Sequence, residues 1–321
     1  MAERNTAQLW DSVWTRSPSV EKDLYAVAKE ERLVRWQRIE AKILERFPGF
    51  DQLSVLELGA GRGTNAALMA GRGASVAVLD YSEIALQRSR RVFENLGLPV
   101  SLVLQDALGL SDELRGRYDV SMSFGLAEHF LGDERHAIIK AHFDVLKEGG
   151  LAFISVPNAH NPPYRLYKWI TERTGRWTIG EEYPFSRREL EEHCERLGIT
   201  EYGFFGDSLW RSKKFLNPLK WFPRRKRKRK EAEPGLRTPG DAAAAAGEAE
   251  VRPEGARADD GTAASGSPPP AAPGTGAAAG DAAPAGGGRR RRRLPRREKG
   301  TRWDDRYAYA LVLWAVKPPE R

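Results

Sequence analysis

The stretch 54-SVLELGAGRGTNAALMA-70 decides how the rest of the chain is read. Its first five residues form a short apolar run broken by one acid, Glu57. A G-x-G-x-G turn follows (Gly59, Gly61, Gly63), and then a segment of helix-forming residues from Thr64 to Ala70. A strand, a glycine-rich turn and a helix in that order are the opening of a βαβ unit, and glycines let the backbone turn tightly and come close to a ligand. Downstream the alternation repeats. SVAVLD (75–80), VSLVLQD (100–106), YDVSMSF (118–124) and GLAFISV (150–156) read as strands, with helical patterns over Ser82–Leu96 and Asp133–Leu146 between them. Strands that are apolar along their whole length are buried on both faces, as in parallel sheets with helix crossovers. The expected fold is a doubly wound α/β sheet.

Outward from this core, residues 3–47 carry apolar side chains at helical spacing up to Pro48-Gly49, which predicts one or two amphipathic helices. Trp10 and Trp14, four residues apart, fall on one face if that stretch is helical. On the other side, Ser186–Leu197 reads as a helix opened by a Ser186/Glu189 capping box, and Ile199–Phe205 as a strand. Arg306–Val316 has the alternation of a last strand.

Between these last two strands the composition changes. From Glu231 to Gly288, 39 of 58 residues are Ala, Gly or Pro, and no aromatic occurs between Phe222 and Trp303. Such a segment cannot bury enough apolar surface to offset chain entropy and is expected to be disordered. It is bracketed by RRKRKRK (224–230) and RRRRRLPRR (289–297). Residues 223–300 hold 18 Lys and Arg against 10 Asp and Glu, a balance of +8, which equals the net charge of the whole chain. The remainder is neutral, so charge gives no reason to expect a basic catalytic cleft. The runs themselves could make weak electrostatic contact with nucleic acid or an anionic membrane, and no aromatic is interleaved for base stacking.

A single cysteine, Cys194, excludes a disulfide framework and a cysteine-based metal site, and no apolar stretch is long enough for a membrane span. The start, MAERNTAQLWDSVW, has no apolar core of a secretion signal, so the expected address is the cytoplasm. The spacing of the histidines suggests no metal site; His136 and His142, for example, lie on different helical faces.

In open α/β sheets, ligands bind beyond the carboxyl ends of the strands. Three acids lie there: Glu57, Asp80 and Asp106. An acid inside the first glycine turn suits a cationic, amino-acid-like group better than a pyrophosphate. Asp80 is placed to take the two hydroxyls of a ribose, and Asp106 to meet an adenine amino group. Taken in order, VLELGAGRGTNA, AVLDYS, VLQDAL, YDVSMSFGLAEHF and LKEGGLAFISVPN resemble the successive motifs of class I S-adenosylmethionine (SAM)-dependent methyltransferases, most closely the small-molecule type of ubiquinone and menaquinone biosynthesis.

The resemblance implies a Rossmann-like sheet of seven strands, mostly parallel with an antiparallel last strand. It also implies that Glu57, Gly59, Gly61 and Gly63 hold the methionine part of SAM and Asp80 its ribose. Asp106 would contact the adenine, with Tyr81 and Ala107 packed on it, and Gly125 would lie beside the methyl donor. The organisation then becomes an N-terminal helical cap (1–50), a SAM-binding core (51–222), the basic insertion (223–300), and the last strand with the C-terminus (301–321).

Within GLAEHF, His129 is the candidate catalytic base, able to take a proton from an attacking hydroxyl, or else a structural histidine bonded only to backbone. Residues 158–185, rich in aromatics, are expected to form the lid over a small-molecule acceptor. Asn161-Pro162-Pro163-Tyr164 spells a motif of amino-methylating DNA enzymes but follows strand five rather than strand four, so it reads as a proline-rich turn. Tyr164 and Lys168 also fit the Y-x-x-x-K of short-chain dehydrogenases, without the glycine motif that accompanies it. The expected activity is methyl transfer to an O, N or C nucleophile, with a nucleic-acid methyltransferase or a non-catalytic SAM-binding protein as alternatives.

Overall fold

Apolar runs with few polar breaks become the strands of a seven-stranded sheet, in the order β3-β2-β1-β4-β5-β7-β6. The computed structural model describes residues 6–15, 19–177, 180–217, 297–301 and 303–319. All of them belong to one unit assembled from Met1–Arg224 and Arg292–Arg321. The first half of the sheet is β1 (Ser54–Leu58), β2 (Ser75–Asp80), β3 (Ser101–Leu104), β4 (Tyr118–Phe124) and β5 (Leu146–Pro157), all paired in parallel. Then β7 (Ala310–Val316) lies antiparallel between β5 and β6 (Tyr202–Gly206), pairing with both.

The helices are α1 (Ala7–Thr15), α2 (Val20–Glu30), α3 (Val34–Arg46), α4 (Thr64–Ala70), α5 (Glu83–Leu96), α6 (Gly132–Asp144), α7 (Pro162–Arg173), α8 (Arg187–Arg196) and the short α9 (Asp304–Tyr307). The strands' period of two divides the core into two layers. Val55, Val76, Val78, Val120, Phe153 and Val312 pack with Trp36, Ile39 and Ile43 of α3, the alanines of α4, and Val92 and Phe93 of α5. Leu56, Leu58, Leu79, Ile154 and Leu313 pack on the opposite face with Ile138 and Ile139 of α6 and Leu190 and Cys194 of α8. Small residues (Ala66, Ala67, Ala70) make α4 buried along nearly its whole length, so it sits close behind the glycine turn. Ser82 caps α5 by accepting from the Ala85 amide at 3.1 Å, and Gly97 ends it in the left-handed conformation.

Several sequence expectations shift. The N-terminal segment contains three helices rather than one or two. The third strand stops at Leu104, opposite Asp80, because β2 is its one neighbour and the ladder ends with it; Asp106 therefore lies in the following turn. The stretch from Arg306 is not all strand, since Asp304–Tyr307 is helical and β7 begins at Ala310. Asn161-Pro162-Pro163-Tyr164 opens a helix instead of making a simple turn. Asn161 Oδ1 accepts from the Tyr164 amide at 2.8 Å, and Asn161 Nδ2 donates to Ser212 Oγ and the Tyr307 carbonyl. Proline is favourable at the first helical position because its missing N–H would have no partner there.

Most of the expected insertion, residues 223–296, lies outside the described residues, as do both basic runs apart from Arg297. Its last four residues are described. Glu298 donates its amide to the Arg32 carbonyl (2.9 Å), and its own carbonyl accepts from Gln37 Nε2 (3.1 Å), so residues 297–300 lie along the start of α3.

Candidate functional site

The carboxyl ends of β1, β2 and β4 and the loop after β3 open on one cavity of about 630 Å³. Among its lining residues are Glu57, Gly59, Gly61, Asp80, Tyr81, Asp106, Ala107, Gly125 and His129, nine of the ten residues expected from sequence. Gly63 is not among them. It has a positive φ (64°) and forms the N-cap of α4, where a Cβ would press on the Phe93 ring and Ser89 Oγ at 3.1 Å.

The acids occupy distinct positions. Glu57, 3% exposed, points from the end of β1 toward α4 and accepts a hydrogen bond from the Ala66 amide at 2.7 Å. It supplies the cap that Gly63, lacking a side chain, cannot. Burial outweighs that bond and pushes the Glu57 carboxyl up to about 8. Asp80 ties two loops together, accepting from the Gly61 amide and from the Ser82 amide, both at 2.9 Å. Burial raises its carboxyl too. Asp106 is exposed and accepts from the Leu108 amide at 2.9 Å, which turns the chain so that Ala107 is buried.

The wall of the cavity comes from the N-terminus. Trp14 of α1 lies on Gly61, whose φ of +59° and contact with the indole leave no room for a side chain. Trp10, one turn earlier, meets the His129 ring edge-on at 4.8 Å. Asp11 between them accepts from Ser82 Oγ at 2.5 Å, fastening α1 to the start of α5. The expected lid, residues 158–185, contributes Glu182 to the lining. Its Tyr164 packs instead against Phe215 and Tyr309.

His129 has its Nδ1 2.7 Å from the Glu181 carbonyl oxygen, a backbone bond of the structural kind, and burial lowers its pKa. Its neighbour Glu128, 4% exposed, has an Oε2 with no hydrogen-bond partner among the described residues. Asn65 of α4 also lines the cavity, and its buried Oδ1 is likewise without a partner among them. Glu30 and Arg35 add a buried ion pair at 2.6 Å.

Buried carboxyls whose charged form is made costly by burial, together with two unsatisfied acceptor atoms, favour a ligand carrying positive charge and N–H donors. The cationic sulfonium and ammonium groups of SAM meet both conditions, so the residues present fit it. Sequence reading missed Glu30, Arg35, Arg211 and Tyr309 as lining residues, which no local motif carries and which reach the cavity from separate elements; Asn65 within the glycine-turn motif and Glu182 within the expected lid were not singled out.

This sheet order, with the glycine turn and the acids at the strand ends, is what the resemblance to class I SAM-dependent methyltransferases implies. Residues 55–150 match the Methyltransf_25 family, described as a methyltransferase domain. The chain is 32% identical over 110 residues to a ubiquinone biosynthesis O-methyltransferase of Shewanella pealeana, covering 34% of this chain and 46% of that protein. It is 28% identical over 163 residues to the protein of the same name from Nitrosomonas europaea, covering 49% and 68%. The chain thus spans about half the length of most of the curated relatives it matches. Among solved structures, it is similar to a magnesium protoporphyrin IX methyltransferase from Synechocystis with bound S-adenosylhomocysteine (TM-score 0.43, 19% identity, 59% of this chain and 81% of that one). A geranyl diphosphate C-methyltransferase from Streptomyces coelicolor is also similar (TM-score 0.42, 15% identity, 56% and 67%).

Proposed function

We propose that this protein transfers the methyl group of SAM to a nucleophile on a small molecule. The convergence of Glu57, Asp80 and Asp106 with the glycine turn on one cavity carries this reading. Glu57, with Asn65 and the turn Gly59–Gly63, would hold the amino-acid arm, Asp80 the ribose, and Asp106, Tyr81 and Ala107 the adenine. Gly125, at φ +90°, keeps the end of β4 bare where the methyl group would lie. Bound SAM supplies an electrophilic methyl group on a positively charged sulfur. The chain then has to align the nucleophile and exclude water, for which Trp10 and Trp14 form the outer wall. His129, held by the Glu181 carbonyl, would orient the acceptor end.

The relatives are named as O-methyltransferases, which favours an oxygen nucleophile here. A cytoplasmic address, and weak salt-sensitive contact of the basic runs with nucleic acid or an anionic membrane, belong to the same proposal. No helix among the described residues is long and apolar enough to cross a membrane. Saturation binding of labelled SAM, followed by release of S-adenosylhomocysteine in the presence of a metabolite panel, tests it. Absence of SAM binding overturns it.

A further inference from the structure

At the acceptor end, two glutamates from distant parts of the chain line the same cavity. Glu128 lies in the 3-10 turn Ala127–His129 directly after β4, and its carboxylate folds back so that a Cβ on Gly125 would lie 3.3 Å from Oε1. Its backbone carbonyl accepts from the Tyr183 amide at 2.7 Å, which brings Glu182 alongside. Glu182, 5% exposed, accepts from the Tyr164 hydroxyl, and both glutamates line the cavity. Among the described residues neither carboxyl has an ion-pair partner.

The charged and titratable groups around them are committed elsewhere. Arg135 of α6 bonds Glu189 at 2.5 Å and stacks on the Phe185 ring. His129 bonds the Glu181 carbonyl. Behind Glu182, Lys168 pairs with Glu172, and Lys214 lies over Phe215 and Tyr309. Elsewhere in the same cavity Arg35 pairs with Glu30 and Arg211 with Asp207, and the tyrosines Tyr164 and Tyr309 lie close by. Burial holds both carboxyls above the usual range; at Glu128 the Glu182 charge adds to this, and at Glu182 the Glu172 charge does. Like charges lining one cavity resist ionising together, so the second proton leaves the two carboxyls less readily than the first.

Building on the methyltransferase reading, we propose that Glu128 is the catalytic base and Glu182 the positioning residue that sets when it is ionised. The methyl acceptor is then an uncharged hydroxyl or amine rather than an anionic nucleophile. As the acceptor's lone pair forms the new bond to the methyl carbon, the methyl–sulfur bond breaks with its electron pair passing to sulfur. The acceptor's O–H or N–H bond breaks with its pair left on the acceptor, and the proton goes to Glu128 Oε2. Glu128 takes the role that sequence alone suggested for His129, because its carboxyl reaches Gly125 through Oε1 while its Oε2 has no hydrogen-bond partner among the described residues.

The test uses the full chain with Glu128→Gln and Glu182→Gln. Calorimetry of SAM first separates the two readings, since a wild-type protein that does not bind SAM fails the methyltransferase reading itself. Infrared pH titration of the protein loaded with S-adenosylhomocysteine should show a protonated-carboxyl band. One component of that band should disappear in Glu128→Gln and move to a lower midpoint in Glu182→Gln, where the like charge is gone, while any component from Glu57 stays. With catechol and benzylamine in excess as probes, wild-type turnover should rise with pH. Glu128→Gln should lower kcat about 10²-fold or more, while Glu182→Gln should shift the pH limb downward with the band. The proposal is overturned if Glu128→Gln keeps both kcat and the limb, if Glu182→Gln moves neither midpoint, or if SAM-loaded wild type methylates neither probe.

Discussion

The Asp80 carboxylate accepts a hydrogen bond from the Gly61 amide at 2.9 Å, so the acid at the tip of β2 fixes the glycine turn that leaves β1. Its other oxygen takes the Ser82 amide at the same distance. The residue proposed to hold the ribose thus also shapes the loop proposed to hold the amino-acid arm.

Asp80→Ala should therefore lose more than a ligand contact. Removing a buried, charged acceptor should cost about 2–4 kcal/mol of SAM affinity. Asp80→Asn, which keeps an acceptor for one amide, should lose less. Calorimetric titration of both variants checks this, and unchanged affinity in Asp80→Ala would contradict the assignment.

Glu57 predicts how stability varies with pH. Its folded carboxyl is raised from the ordinary 4.5 to about 8, so between these values the folded chain binds a proton that the unfolded chain has released. Its contribution is full below about 4.5 and is lost as pH rises through about 8. Ligand-free wild type should lose stability relative to Glu57→Gln across that window, by at most about 1.4 kcal/mol per pH unit. Denaturant melts of the two proteins at a series of pH values measure the difference.

Gly61 and Trp14 should show coupled energetics. Alanine at 61 meets a positive φ, costing about 1–2 kcal/mol, and also displaces the indole that rests there. Trp14→Ala alone opens the cavity wall. In a double-mutant cycle, Gly61→Ala should cost less on the Trp14→Ala background, because the steric part is gone. Additive melting shifts would mean that α1 does not rest on the turn.

Replacing residues 225–291 by a short Gly-Ser linker should leave SAM binding and Tm nearly unchanged, since the described residues form one unit without that segment. Each halving of a loop changes closure entropy by only about 0.6 kcal/mol. The intact chain should bind DNA and anionic vesicles weakly at low salt and release both near physiological ionic strength. Filter binding and vesicle co-sedimentation over a salt series, beside the excised protein, would reveal any salt-resistant contact.

What the sequence determined by itself is the local part. Continuous apolar runs such as SVAVLD become buried parallel strands because no other backbone arrangement covers them on both faces, and Ser82, Gly63 and Gly97 set helix ends through bonds within a few residues. The glycine turn and the acids at the strand ends were legible for the same reason: strand–turn–helix geometry puts them at one edge. Only the tertiary structure decided that Trp14 covers Gly61, that β7 enters between β5 and β6, and that Glu182 comes to lie beside Glu128. Those relationships join residues dozens to more than a hundred positions apart. They are set by which faces of separate elements must be buried together, which no spacing along the chain records.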